Sequence, residues 1–231
     1  MILRLALVFA FAASAPARAE TARVEIGGAS IALVVPGGHC LLERSNAADR
    51  GVVETVERVV AGTNRVLAAF ADCDQRAEFR AGRRTVLDDY GQYMTPVRGG
   101  AINLPPSAFA QRMTEVFKSQ GAQLMEGAEV DTRERIGGLK PGIRMGENRM
   151  LGVLRTDERA SYVGIVQNLG LPDGSTKLQV GIAAFGVLKQ RMVSLNLYAR
   201  FEEGPGGANT TLRLLQASVG TYAGTSAANA R

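Results

Sequence analysis

The densest group of residues able to do chemistry is Asp88-Asp89-Tyr90, with Tyr93 three positions further on. Two neighbouring carboxylates can hold a hard cation together with backbone carbonyls, or one can act as an acid or base beside a phenol. A carboxylate-dependent, hydrolase-like enzyme is therefore one reading of this segment. The other is a solvated strand end whose tyrosines bridge core and water. The spacing favours the second, because adjacent acids lack the ligand spacing of a calcium loop, so no metal is expected. His39-Cys40 suggests a second chemistry, since an imidazole can generate a nucleophilic thiolate. Sequence neighbours in an extended segment point to opposite faces, however, which works against that contact. With one histidine, two cysteines, and neither GxSxG nor HExxH, the familiar nucleophile and zinc chemistries lose their residues. The glycines of Ile136-Gly137-Gly138-Leu139-Lys140-Pro141-Gly142 lack the spacing of a phosphate loop, and the chain carries no cofactor motif.

Residues for binding are clearer than residues for catalysis. From Arg191 to Phe201 one face reads Val193, Leu195, Leu197, Ala199, Phe201 and the other Met192, Ser194, Asn196, Tyr198, Arg200. That is period two, the pattern of a strand with one face on a core and one on something wetter. Asn196, Tyr198 and Arg200, together with Tyr90 and Tyr93, are the candidate binding residues. Leu178, Val180, Ile182 and Ala184 oppose a smaller face in the preceding segment, and Val163, Ile165 and Leu169 continue the pattern before it. Leu171-Pro172-Asp173-Gly174 supplies a turn between them. Connections this short require antiparallel pairing.

The elements that must position these strands can be taken in order. Residues 1–19 have the form of a cleaved export signal, with Arg4, an apolar run from Leu5 to Ala13, and Ala17-Arg18-Ala19 before Glu20. The run is too short to span a bilayer, so a periplasmic or secreted, soluble bacterial protein is expected, without a membrane span. In that compartment Cys40 and Cys73 are expected to form a disulfide. The bridge would link the start of the first helix to the end of the next strand. Ser30–Val35 reads as a strand ended by Pro36-Gly37-Gly38. Ser45 or Asn46 caps a helix whose stripe is Val52, Val53, Val56, Val59 and Val60, with Asp49 in its first turn. Val66–Ala71 reads as a strand, residues 74–81 as a helix, and residues 84–97 as extended. Pro105-Pro106-Ser107 opens a third helix reaching about Gly127, and a short strand follows at 150–154. Asn209 or Thr210 caps a last helix with Leu212, Leu215, Val219 and Tyr222 on its inner stripe, leaving 225–231 frayed.

Strands broken by helices, then a meander and a terminal helix, predict one α+β domain over 20–224 with an antiparallel sheet covered by helices. Loss of Arg4 and Arg18 with the signal would take the net charge from +5 to +3. Neither value comes with the basic and aromatic clustering of a nucleic-acid binder, so none is expected as a partner. The Pro-Gly-x-Cys turn after the first strand, the capped helix, the strand ending at Cys73 and the final meander resemble exported proteobacterial proteins. The layout is also similar to the PsbP/Mog1-like α-β-α sandwich. The resemblance implies a non-enzymatic accessory or binding module whose partner is an envelope protein or a small molecule; no cofactor and no site residue comes with it.

Overall fold

The computed structural model describes residues 20–137, 144–171 and 174–230. The export signal, most of the glycine loop at 136–142, Pro172-Asp173 of the expected turn and Arg231 lie outside the described residues. The elements are β1 (Thr21–Ile26), β2 (Ala29–Val34), β3 (His39–Leu41), α1 (Ala47–Val60), β4 (Asn64–Asp72), α2 (Cys73–Arg80) and β5 (Tyr90–Pro96). They continue with α3 (Pro106–Gly137), β6 (Arg144–Thr156), β7 (Ala160–Gly170), β8 (Thr176–Leu188), β9 (Arg191–Arg200) and α4 (Pro205–Asn229). Strands β3-β4-β5-β9-β8-β7-β6 form one sheet, antiparallel throughout, and β1-β2 forms a separate hairpin. The α+β domain with a helix-covered antiparallel sheet is as the sequence implies.

The two faces of the sheet differ as the β9 alternation requires. Val193, Leu195, Leu197 and Ala199 join Phe70, Val180, Ile182 and Tyr222 in the main core, beneath α4 and the hairpin. The other face lies under α1 and α3, with Phe117 of α3 packed on Phe185 of β8 at 5.0 Å between ring centroids. The hairpin was not legible as such. In β1 only Ile26 is buried, and the strand's alternation with Arg23 and Glu25 resembles exposed chain. Gly27 and Gly28, at φ +54° and +80°, make the two-residue turn that returns it as β2, a geometry L side chains resist.

Helix α4 closes the hairpin's open edge. The Asn229 side chain accepts from Ala32 N–H at 3.0 Å and donates to Ala32 C=O at 2.7 Å, while Thr225 Oγ1 accepts from Val34 N–H at 3.2 Å. Tyr93 donates to Val34 C=O at 2.7 Å and lies 2.7 Å from Thr225 Oγ1. Four helical residues advance about 6 Å and two strand residues about 6.6 Å, so an i,i+4 polar pair matches the outward groups of an i,i+2 pair. The fraying expected from Thr225 onward is thus not seen. Thr225 is fully buried and Asn229 nearly so. The helix also starts early, at Pro205 after Gly204, because proline suits a first helical turn.

Near the other end, Asn46 caps α1 by accepting from Ala48 and Asp49 N–H. Asp49, fully buried, accepts from Glu43 N–H at 2.8 Å and from both Nε and Nη2 of Arg80, tying α1 to α2. Cys40 and Cys73 are bonded, with Cα atoms 5.0 Å apart. The bridge starts from edge strand β3 and ends on the first residue of α2, not on the start of the first helix. Closing a loop of this length contributes about 3–4 kcal/mol on the chain-entropy model.

Candidate functional site

Strand β5 begins only at Tyr90, so Asp88 and Asp89 sit in the loop before it. Their N–H groups both donate to Gln75 Oε1, at 2.8 and 3.2 Å, which fixes the loop against α2. From there the two carboxylates diverge. Asp88 bonds Lys177 Nζ and Arg84 Nη1, each at 3.0 Å. Asp89 lies 3.3 Å from His39 Nε2 and 3.6 Å from Arg213 of α4. Burial pushes the Asp88 carboxyl up, but the Lys177 hydrogen bond and charge, with Arg84 and Arg200, hold it below the usual carboxylate range. It is an ionised partner of cations, unsuited to donating a proton near neutrality.

Tyr93 does not join this group. It lies three residues from Tyr90 in a strand, hence on the opposite face, fully buried beneath α4. Arg98 lies past the far end of β5. Asp88, Asp89, Tyr93 and Arg98 thus line no common cleft in which a carboxylate could work beside a phenol and a cation. His39 and Cys40 form no nucleophile pair either, because Cys40 is consumed in the disulfide. Among the described residues, no group of three or more His, Cys, Asp or Glu side chains is placed to hold a metal ion.

The binding candidates are divided by burial. Asn196 is 6% exposed and donates to Ser194 Oγ at 3.2 Å, on a part of the sheet that the helical layer covers. It supports the fold and offers no open surface. Tyr90 and Tyr198, cross-strand partners on β5 and β9, stack with centroids 5.0 Å apart and planes 20° from parallel. Both are partly exposed, and Arg200 is exposed beside them. Burial, with the Asp88 charge, pushes the Tyr90 phenol up to about 12, and burial raises Tyr198 too, so both are neutral hydroxyls.

The residues that complete this platform come from β7 and β8, and the sequence reading did not single them out. Gln167, Gln179 and Arg200 are successive cross-strand partners, so their side chains stand in a row on one face. Tyr90 O–H donates to Gln179 Oε1 at 3.2 Å, and Gln179 Nε2 donates to Gln167 Oε1 at 3.0 Å. Lys177 Nζ sits 5.8 Å from the Tyr90 ring centroid and donates to Leu87 C=O at 2.7 Å. Gly181, directly opposite Tyr198, seats the ring: a Cβ there would lie 2.8 Å from Tyr198 Cε1. The signal for Gly181 was the small second face of β8, which marks a close approach.

A concavity of about 520 Å³ opens on the other side between β6 and α4, lined by Leu151, Leu154, Phe201, Leu212 and Leu215 together with Arg149. It offers apolar area with little to orient a ligand.

No protein-family model matches the chain, and a search of curated proteins returns no match. Among solved structures the chain is similar to the Ran-binding protein Mog1p of Saccharomyces cerevisiae, with 14% identity over 88% of this chain and 95% of that one, at a TM-score of 0.38. A point mutant of Mog1 gives 15% identity over 87% and 94%, at a TM-score of 0.37.

Proposed function

We propose that this chain is an exported, soluble, non-enzymatic binding module that recognises its ligand with the helix-side platform of Tyr90, Tyr198, Gln167 and Arg200, which buried Gln179 braces from within. The observation that carries the reading is the stacked, partly exposed tyrosine pair beside an ordered amide row. Rigid aromatic faces provide contact area at small entropic cost, and fixed polar groups provide orientation. The two neighbouring carboxylates, Asp88 and Asp89, are spent on ion pairs. Among the described residues, no helix is long and apolar enough to cross a membrane. Export is supported by the three-part pattern of residues 1–19 and by the disulfide.

A photoreactive residue at Leu169, two positions beyond Gln167 on the same strand face, tests the site. Adducts formed in the native host should appear at Leu169, be absent from a probe at exposed Arg58 of α1, and disappear with Tyr198→Ala. Their mass distinguishes a protein from a small molecule. The same adducts from both probe positions, or none from Leu169, would refute the platform.

A further inference from the structure

The hydrogen-bond direction within the platform points to the class of group it receives, and we infer that it binds a carboxylate. The inference rests on the platform being the binding site. The chain of bonds runs one way, from Tyr90 O–H to Gln179 Oε1 and from Gln179 Nε2 to Gln167 Oε1. Each amide oxygen therefore already accepts one bond within the row. What is left facing outward without a partner among the described residues is the Gln167 amide N–H pair, the Tyr198 hydroxyl and the Arg200 guanidinium, Gln179 itself being buried. These are donors, with the tyrosine hydroxyl able to act as one. A row of donors ending in a guanidinium is complementary to a planar acceptor with negative charge, since guanidinium and carboxylate match fork to fork.

Charge calls for an anion, and shape favours a carboxylate over a phosphate. Lys177 and Arg84 are both committed to Asp88, at 3.0 Å each, and Arg84 bonds Glu78 Oε2 as well. Arg200 makes no ion pair among the described residues and stands exposed at the end of the row. Its charge reaches Asp88 but is neutralised by no ion pair of its own, which leaves room for one further negative group. The flat amide row and the stacked rings likewise suit a planar group better than a tetrahedral one.

A carboxylate can come from a small organic acid or from an acidic side chain of a protein, and the test separates the two. The protein contains five tyrosines and no tryptophan, so tyrosine fluorescence reports the Tyr90/Tyr198 stack without tryptophan background. Succinate and an end-capped tetraglutamate peptide are titrated beside succinamide, the matching glutamine peptide and inorganic phosphate. Saturable binding of at least one carboxylate probe, absent with its amide and weakened about tenfold or more by Arg200→Ala, is expected. Succinate binding marks a small-molecule site; peptide binding alone marks an acidic protein partner. Arg200 is exposed, so its variant should keep the parent melting temperature, which is measured alongside. Equal binding of the amides or of phosphate, an unchanged affinity in Arg200→Ala, or no saturable binding of either carboxylate would overturn the inference. The photoadducts at Leu169 would survive each of those results if only the ligand class is wrong, and would be missing if the platform itself is wrong.

Discussion

Replacing Asn229 by alanine should destabilise the protein by about 3 kcal/mol, although the residue lies two positions from the end of the chain. The magnitude follows from the two bonds to Ala32, at 3.0 and 2.7 Å, in a setting where Asn229 is 8% exposed. Each bond contributes about 1 kcal/mol net, and leaving the Ala32 N–H and C=O buried without partners adds about 1 kcal/mol or more. In a chain of this size that corresponds to a melting temperature lower by about 6–12 °C. Asn229→Asp sharpens the test, because it keeps an acceptor for the N–H but turns a carboxylate oxygen toward the Ala32 carbonyl. Its carboxyl pKa in the folded state should be raised by burial and by that carbonyl. The stability of this variant is then greatest below the unfolded carboxyl pKa and is lost as pH rises through the folded value. Denaturant unfolding of parent and both variants across pH is the assay. An Asn229→Ala variant within about 0.5 kcal/mol of the parent would refute the docking of α4 on the hairpin edge.

Three further outcomes are expected. Asp49→Ala removes the buried acceptor of Arg80 and of Glu43 N–H; since Arg80 is a quarter exposed and can reach water, the loss should be about 2 kcal/mol in chemical denaturation. Burial raises the Asp49 carboxyl but the Arg80 hydrogen bond and charge more than offset it, so its folded pKa is lowered; its contribution is present above the unfolded value of about 3.9 and lost as pH falls through the folded one, and parent and variant should converge in acid. Gln190→Gly should stabilise by about 1 kcal/mol, read as a raised melting temperature, because Lys189 and Gln190 hold φ of 46° and 63° in the two-residue β8–β9 turn. Gly181→Ala should cost about 1–3 kcal/mol and abolish ligand binding although no platform side chain is replaced, since its Cβ displaces the Tyr198 ring; unchanged tyrosine fluorescence would contradict that seating.

The strand faces were legible because period two is a strong signal over ten residues, and β9 carries it without interruption. The Asn46 cap and the two cysteines were legible for similar local reasons. The same periodicity places Tyr90 and Tyr93 on opposite faces, yet their shared chemistry made them look like one site. Asn196 was legible as polar but not as buried, because its covering comes from helices far away in sequence. Helix α3 runs to Gly137, ten residues beyond the expected end at Gly127, and that length could not be read from a weak apolar stripe. Asp88 and Asp89 read as strand because Val86 and Leu87 precede them, whereas Gln75, thirteen positions back, holds them in a loop. Gln167 and Gln179 escaped notice because only the register of β7, β8 and β9 aligns them with Arg200.

The central claim is that binding uses the helix-side platform and not the apolar groove beside α4. Crosslinked capture from host extract with the tagged protein, its Tyr198→Ala variant and a Leu212→Ser variant tests this most directly, with melting temperatures confirming that all three are folded. The account predicts that the specific material recovered by the parent is lost with Tyr198→Ala and kept with Leu212→Ser. Loss with Leu212→Ser and retention with Tyr198→Ala would contradict it.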